Sequence, residues 1–230
     1  MEQRRLGQAG FAVPVIGAGT WRVFDVSEDA AAGPWQLGER WRLLDVTYKP
    51  YPVCAITQSP VQVAIDLATE HDLRPDAISA VRCFLNPADR TYPGTVNDGP
   101  FNDVGASLMS AQFCVAMALK HRGATLAGLH EFDDPVVLRL VGLTEVLPDE
   151  RLPNLGARVE ITTTQGETLT GELVPSAETY GWDWDGVRAN LARMEPEIAV
   201  DRAGLDRLEQ AVASITELDS VEALVRGTVA

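Results

Sequence analysis

The sequence predicts an α+β fold, in which a mostly antiparallel sheet carries a helical layer and is followed by C-terminal helices. The segment RVEITTTQGETLTGELV alternates apolar and polar residues on both sides of Gln165-Gly166, which predicts a β-hairpin. Strands and helices elsewhere do not alternate in the strict order that a (β/α)₈ barrel requires. After Pro175 the apolar residues recur only at helical spacing, so the chain is expected to end in helices.

Length and composition favour a globular protein that binds neither nucleic acid nor membranes. The chain has 230 residues, of which 46% are hydrophobic, so it can bury a sizeable core. Lys and Arg total 19 against 33 Asp and Glu, for a net charge of -14. This charge repels nucleic acid and anionic membrane surfaces. A local cationic site can still bind a small anion, because salt screens charges beyond roughly 10 Å.

The cysteines and histidines predict no metal site and a reducing, cytoplasmic location. Cys54, Cys83 and Cys114 are odd in number and lie among apolar neighbours without a CxxC spacing, so buried thiols are expected. The three histidines are scattered and lack metal-ligand spacing. The N-terminus has no apolar signal core, and no apolar run is long enough to span a bilayer.

The first 34 residues form a predicted leader without a folded domain of its own. Gly7 and Gly10 flank a short turn that predicts a hairpin, and the apolar run Val13–Ile16 follows as a strand. Residues 1–26 resemble the N-terminus of aldo/keto reductases. An NADPH-dependent reductase is therefore a third hypothesis, and it is the least favoured because the resemblance ends there. Gly17-Ala-Gly19 does not match a dinucleotide-binding fingerprint, and no cofactor is expected.

The next domain is expected to span residues 35–175. A strand is predicted at Trp41–Thr47. Ser59 as N-cap, Pro60 at the first helical position and Gln62 at capping-box spacing then predict a helix from about Pro60 to His71. A strand follows at Asp76–Phe84, and the next segment, to about residue 107, is rich in turn residues and is expected to be a loop.

Further helices and one further strand complete the predicted order. Ser110–Arg122 is apolar at helical spacing with Gly123 as its stop, and Asp133 or Asp134 with Pro135 begins another helix. A C-terminal helical segment at residues 176–230 is expected to pack on the sheet or on a partner chain. The remaining predicted elements are a helix to about Gly142, a strand at Leu143–Leu147, and helices at Trp184–Met194, Ala203–Ile215 and Val221–Arg226.

Four motifs carry a resemblance to a known family. They are Lys49-Pro-Tyr51-Pro52-Val-Cys54 before a helix, Ser110-Ala-Gln-Phe113, Asp134-Pro135, and the hairpin around Gln165-Gly166. In this order they resemble the MmgE/PrpD family, which includes 2-methylcitrate dehydratase, cis-aconitate decarboxylase and iminodisuccinate epimerase. The resemblance covers about residues 36–230 and corresponds to the smaller, C-terminal α+β domain of the family and its C-terminal helices.

The resemblance implies lyase, dehydratase or epimerase activity on small di- or tricarboxylates. The family's cleft lies between this domain and a large helical domain outside the resemblance. The chain is therefore expected to be a truncated or split part with an incomplete active site. It would act as a homo-oligomer or with a partner chain that supplies the helical domain. The alternative is a non-catalytic interaction module or an inactive remnant.

The resemblance also nominates site residues. Lys49 and Gln58 are the catalytic candidates, although many relatives have histidine at the position of Gln58, and glutamine cannot titrate. Lys49 is expected to meet a substrate carboxylate together with the free amides of the helix beginning at Pro60. The substrate-binding candidates are Lys49, Tyr51, Thr57, Gln58, Ser110 and Gln112.

Each candidate also has a structural interpretation. Lys49 can be a solvated lysine, and Tyr51 a packing wedge between prolines. Thr57 and Ser110 can cap helices, and Cys54 can be a small buried hydrophobe. The segment Trp182–Asp185 is expected to start a helix rather than to bind a sugar or a partner.

Overall fold

The computed structural model of the protein describes residues 3–6, 11–14, 47–198 and 200–217. The chain divides into two compact units, residues 1–45 and 46–230. In the first unit, β1 (Gln3–Leu6) and β2 (Phe11–Pro14) pair antiparallel, with Gln3 opposite Pro14 and Leu6 opposite Phe11. The antiparallel pairing predicted on either side of Gly7 and Gly10 is therefore confirmed. The strand predicted to follow it at Val13–Ile16 overlaps β2 at Val13 and Pro14, and its last two residues lie outside the described ones. The predicted domain boundaries after residues 34 and 175 stay predictions.

The second unit contains the sheet and the described helices. Its strands are β3 (Ile78–Leu85), β4 (Thr144–Pro148), β5 (Ala157–Thr163) and β6 (Thr168–Leu173). Its α-helices are α1 (Gln58–Glu70), α2 (Pro87–Arg90), α3 (Val104–Met109), α4 (Ala111–His121), α5 (Pro135–Leu143), α6 (Ala177–Tyr180), α7 (Trp184–Met194) and α8 (Arg202–Ala213). Single 3₁₀ turns occur at Ala55–Thr57, Pro75–Ala77, Gly128–His130, Glu195–Glu197 and Ile215–Glu217.

The four strands form one sheet in the order β4-β3-β5-β6. The β3 strand pairs parallel with β4 and antiparallel with β5, and β5 pairs antiparallel with β6. The hairpin turn between β5 and β6 holds Gly166 at φ 87°, a conformation that glycine adopts without strain. The predicted α+β class with a mostly antiparallel sheet is confirmed.

The two faces of the sheet differ in chemistry. On one face, alternate residues of β3 and β5, such as Val81, Cys83 and Val159, are fully buried beneath helices. On the opposite face, Glu160 of β5 pairs with both Arg82 and Arg158. The Arg158 guanidinium also lies 3.7 Å from the ring centre of Phe84. The alternation from Val81 onward in β3 and along β5 fixes the strand register, because a one-residue slip would bury these charges.

Helices α1, α4 and α5 form the layer on the buried face. Helix α4 packs between α1 and α5, and its residues Ala111 to Leu119 are all buried. A helix that is apolar all round is stable only when neighbours cover it. Large side chains such as Phe113 and Met117 are completely buried, and each contributes about 1.5–3 kcal/mol to the hydrophobic stabilisation.

The start of α1 differs from its prediction. The helix begins at Gln58, so Ser59 is not the N-cap and Gln62 does not complete a capping box. The 3₁₀ turn at Ala55–Thr57 runs directly into the helix, and the amides of Thr57 and Gln58 donate to the carbonyls of Cys54 and Ala55. Because the turn provides these acceptors, no side-chain cap is required. Ser59 instead donates from its hydroxyl to the Leu155 carbonyl at 2.5 Å.

Two further predictions need correction near α3 and α4. The segment expected to be a loop contains α3, which Asp103 caps by accepting from the Ala106 amide at 2.9 Å. Helix α4 ends at His121, and the left-handed residue that follows is Arg122, at φ 51°, rather than Gly123. The Arg122 guanidinium bonds Asp72 at 2.5 Å, and this contact holds the arginine in place.

The remaining predicted elements are found, with ends shifted by a few residues, wherever the structure describes them. Helix α5 begins after Asp134, whose carboxylate accepts from the amides of Val136 and Val137. Helix α7 spans Trp184–Met194, as predicted. The predicted helix Val221–Arg226 lies outside the described residues, as does the predicted strand Trp41–Thr47 except for Thr47. Within the described ranges, no helix is long and apolar enough to cross a membrane.

The contact between β6 and α1 generates a stability prediction. A Cβ atom at Gly171 would lie 2.8 Å from Cγ1 of Val63, a stiff β-branched side chain in the core. We expect Gly171→Ala to lower the free energy of unfolding by about 1–3 kcal/mol through overpacking.

Gly142→Ala is the matched control, because a Cβ at this helical glycine of α5 meets nothing within 4 Å. We expect it to raise the free energy of unfolding by about 0.5–1 kcal/mol. Urea denaturation of both variants measures the difference. Equal stabilities would show that β6 does not pack closely on α1.

Candidate functional site

The amide of Gln58 fixes the segment Tyr51–Val53, the centre of the first family-like motif. Gln58 is 3% exposed. Its Nε2 donates to the Tyr51 carbonyl at 2.9 Å and to the Val53 carbonyl at 3.0 Å, and its Oε1 accepts from the Tyr51 amide at 3.1 Å. The amide therefore holds a backbone segment that has no regular partner. These contacts do not support the catalytic role of Gln58, which stays a prediction.

Tyr51 is held on both sides. Its hydroxyl donates to Oε1 of Gln62 at 2.7 Å, and the Arg193 guanidinium lies 4.8 Å from its ring centre. Burial raises the pKa of the phenol, although the neighbouring Arg193 opposes this rise. The phenol is therefore neutral at physiological pH and acts as a hydrogen-bond donor. The side chain is 7% exposed, in agreement with its interpretation as a packing wedge.

Lys49 presents an ammonium group without a carboxylate partner among the described residues. Its side chain is exposed, and its contact to the Val53 carbonyl, at 3.5 Å, is long for a hydrogen bond. The sequence has one other lysine, Lys120, which pairs with Glu131 at 2.9 Å and with Asp134 at 2.8 Å. The hydrogen bond from Lys120 lowers the pKa of Asp134. Lys49 is therefore the lysine whose charge is available to a ligand.

The expected contact of an anion with both Lys49 and free amides of the helix stays a prediction, and two amides at the start of α1 are already occupied. The amides of Thr57 and Gln58 already donate to carbonyls of the preceding turn. The Lys49 ammonium contacts Val53, which lies before that turn. An anion at Lys49 would therefore be held by the side chain and by groups other than these two amides.

The other nominated residues hold a second loop or the core. Ser110 caps α4 by accepting from the Phe113 amide, and its hydroxyl donates to the Asn97 carbonyl at 2.5 Å. Gln112 accepts from the Asn97 amide at 3.1 Å. Thr57 is completely buried and donates to the Cys54 carbonyl at 3.0 Å. The structure gives all three a structural task, and their roles in substrate binding stay predictions.

A cavity beside the Tyr51 motif contains residues that the sequence analysis did not nominate. It has a volume of about 500 Å³, and we call it the Arg193 cavity. Helix α7 provides Ala189, Asn190 and Arg193, and β6 provides Leu173. Its remaining walls include Pro50, Gln62, Tyr180 and Trp182. Arg193 lies 143 residues after Pro50, so no local motif could have indicated that they meet.

Arg193 connects α7 to the motif. One terminal nitrogen, Nη2, donates to the Pro50 carbonyl and to the side-chain oxygen of Asn190. No carboxylate in the described part of the chain pairs with this guanidinium. The Trp182 ring stacks on Tyr48 with 5.7 Å between ring centres, and its Nε1 donates to the Thr179 carbonyl at 3.2 Å. The cavity thus combines one accessible cation with a fixed aromatic wall.

Two of the three thiols are buried and unreactive, and the described ranges hold no cluster of metal-binding side chains. Burial raises the pKa of Cys83 to about 12, and that of Cys114 likewise to about 12. Thiols of this kind are not nucleophiles at neutral pH. No group of three or more His, Cys, Asp or Glu side chains is placed to hold a metal ion within the described residues.

Comparison with known proteins identifies one domain. The MmgE/PrpD C-terminal domain matches residues 51–179, more than half of the chain. The match includes the whole four-stranded sheet, the three packed helices and the motif from Tyr51 onward, whereas Lys49 and helix α7 lie outside it. No curated protein matches the chain.

Because the Gln58 amide hydrogen-bonds the backbone of Tyr51 and Val53, its substitution tests what fixes this loop. We expect Gln58→Leu to lower the free energy of unfolding by about 2–4 kcal/mol, because buried polar groups of Tyr51 and Val53 lose their partner. Gln165→Leu, in the exposed hairpin turn, is the control and is expected to change it by less than about 0.5 kcal/mol. Chemical denaturation compares the two. A neutral Gln58→Leu would mean that the loop is not fixed by this amide.

Thiol labelling tests the burial of the cysteines. In the native protein we expect iodoacetamide to react first with the partly exposed Cys54, and with Cys83 and Cys114 only after denaturation. Peptide mass spectrometry reads the order. Rapid native labelling of Cys83 would contradict the placement of β3 beneath the helical layer.

Proposed function

Because the chain belongs to the MmgE/PrpD family through its C-terminal domain, we propose that it takes part in lyase, dehydratase or epimerase chemistry on small di- or tricarboxylates. The observation that carries this proposal is Lys49. It is an exposed ammonium, free of carboxylate partners in the described residues, that directly precedes a backbone segment fixed by Gln58 and Arg193.

The reaction class requires a cation near the substrate. Such reactions move a proton at a carbon next to a carboxylate, and negative charge increases on that carboxylate as the proton leaves. A positioned ammonium stabilises this charge more strongly in the transition state than in the ground state. In a chain with a net charge of -14, a carboxylate would be attracted only where cations are local, as at Lys49.

The acid and the base of the reaction belong, in this proposal, to another polypeptide. Gln58 cannot titrate and its amide is occupied by the backbone, while the Tyr51 phenol donates to Gln62. Proton transfer is therefore left to other groups. We propose that a partner chain with the family's helical domain, or a second copy of this chain, completes the site.

The three free cysteines favour a cytoplasmic location.

A non-catalytic interaction module is the second candidate. It is favoured by the internal hydrogen bonds of Gln58, Ser110 and Gln112, which hold the protein's own loops. A module of this kind would bind its partner without turning over any carboxylate, alone or in the complex. Turnover assays of this chain mixed with a helical-domain partner therefore separate the two candidates.

Acylation of lysine tests the anion site. We expect a water-soluble succinimidyl ester to label Lys49 readily, and the ion-paired Lys120 to react slowly as an internal control. Citrate at saturating concentration should protect Lys49 and leave Lys120 unchanged. Mass spectrometry of the peptides measures both. Labelling of Lys49 at the same rate with and without citrate would contradict carboxylate binding there.

Substitution of Lys49 tests the same site through affinity and turnover. We expect Lys49→Gln to weaken citrate binding roughly tenfold, the effect of losing one hydrogen bond to a charged group. Arg74→Gln is the matched control, because it removes another exposed positive charge, one that pairs with Asp76. Isothermal titration measures both variants.

If co-expression with helical-domain partners gave no complex and no turnover of 2-methylcitrate, cis-aconitate or iminodisuccinate, the enzymatic proposal would fail.

A further inference from the structure

We infer that the outer edge of β6, formed by Thr168, Thr170 and Glu172, is a self-association surface. Two copies of the chain pair their β6 strands antiparallel there and join their four-stranded sheets into one. The partner is a second copy of this chain, so the same residues occur on both sides of the interface. The inference concerns assembly and does not depend on a carboxylate at Lys49.

The hairpin turn determines which backbone groups of β6 face β5. The Thr163 amide donates to the Glu167 carbonyl at 2.8 Å, and the pairing of β5 with β6 continues from there in unbroken register. In an antiparallel ladder, hydrogen-bonded and non-hydrogen-bonded pairs alternate. The β6 residues whose amides and carbonyls point away from β5 are therefore Thr168, Thr170 and Glu172.

These three residues form an open edge. Each of them is exposed, and their backbone amides and carbonyls have no hydrogen-bonding partner within the described residues. A row of unpaired backbone groups on an edge strand is a template for another strand. The strand TLTGEL also lacks the features that usually prevent such pairing, because it contains no proline or lysine and its register with β5 has no bulge.

The opposite edge of the sheet is protected. The β4 strand ends in Pro148, which has no amide hydrogen, and Nε of Arg90 donates to the Val146 carbonyl of β4 at 2.9 Å. Helix α2, which ends at Arg90, lies beside this strand. The difference between the two edges points to β6 as the edge that another strand covers.

The outer edge of β6 is complementary to itself. When two β6 strands pair antiparallel about Thr170, this residue faces its own copy, and Thr168 of one strand faces Glu172 of the other. Each outward amide then donates to an outward carbonyl of the other strand. A shift of the register in either direction leaves some of these groups unpaired, so the pairing about Thr170 is favoured.

The charges on the strand permit this pairing. Glu172 lies opposite Arg158 of β5 within the same copy, and Arg151 also attracts it. In the pairing about Thr170, the two Glu172 residues are separated by four residues along the strands, a distance of roughly 14 Å. Salt screens charges beyond about 10 Å, so the repulsion between the two copies is weak.

Two lysine substitutions test the pairing and its register. Thr168→Lys places a cation opposite Glu172 of the other copy, and we expect it to lower the dissociation constant of the dimer roughly threefold to tenfold. Thr170→Lys places two cations opposite each other, and we expect it to raise that constant by a similar factor. Each variant is the matched control of the other, because both add the same charge at an exposed position of one strand. Sedimentation equilibrium of the full chain, from about 1 μM to about 1 mM, measures the dissociation constants.

Backbone NMR spectra test the same edge without a substitution. As the unmodified chain is concentrated, we expect the amide signals of Thr168, Thr170 and Glu172 to shift, because these amides gain acceptors from the second copy. The amide signals of β4 should stay unchanged. Thermal melting checks the fold of both lysine variants, and if either unfolds, the spectra of the unmodified chain decide.

Three results would overturn the inference. The first is a chain that stays monomeric over the whole concentration range. The second is a dimer whose dissociation constant changes equally in the two lysine variants, because such a dimer forms through another surface. The third is a set of β6 signals that shift only when a helical-domain partner is added, which would assign the edge to that partner. Loss of citrate protection at Lys49 would contradict the proposed function alone, since it leaves the β6 measurements unaffected.

Discussion

The side-chain amide of Gln58 is the contact on which the geometry of the candidate site depends. A proline-rich segment cannot join a sheet or a helix, so its carbonyl and amide groups must find partners elsewhere when they are buried. Gln58 supplies one acceptor and two donor contacts to Tyr51 and Val53 from within the first turn of α1. Because α1 packs on the sheet, the Gln58 amide connects the core to the loop that begins at Lys49 and Pro50. Gln58 thus fixes the backbone of Val53, which the Lys49 ammonium contacts, and the backbone next to the Pro50 carbonyl, to which Arg193 donates.

The candidate site of this strongly acidic chain contains few positive groups. Of its two lysines, one is neutralised by acids in a partly buried cluster, and the other is exposed beside the fixed loop. Most arginines on the sheet surface are likewise paired, as Arg158 is with Asp149 and Glu160. A long-range field therefore contributes little to ligand capture. At the proposed site, local hydrogen-bonding geometry would decide whether an anion stays.

Sequence patterns predicted the architecture well because the relevant signals are local. The alternation in β5 and β6, the Asp134-Pro135 start of α5 and the acidic start of α7 each depend on a few neighbouring residues. The first residue of α1 was predicted wrongly because a 3₁₀ turn replaced the side-chain cap. The prediction that Gln58 is catalytic came from its position in the motif. A motif does not show which backbone groups a side chain hydrogen-bonds. Arg193 was missed because its partners are far away in the sequence.

The Arg193 contact with Pro50 has a consequence for the dynamics of the molecule. It joins a helix that is mostly exposed, and that buries no residue completely, to a loop that adjoins the hydrophobic core. Local opening of α7 would move the Arg193 guanidinium away from the Tyr51 ring and free the Pro50 carbonyl. The Gln58 amide would still hold Tyr51. Helix α7 should therefore exchange its amide hydrogens with solvent more readily than the sheet, whereas the loop keeps the protection that Gln58 provides.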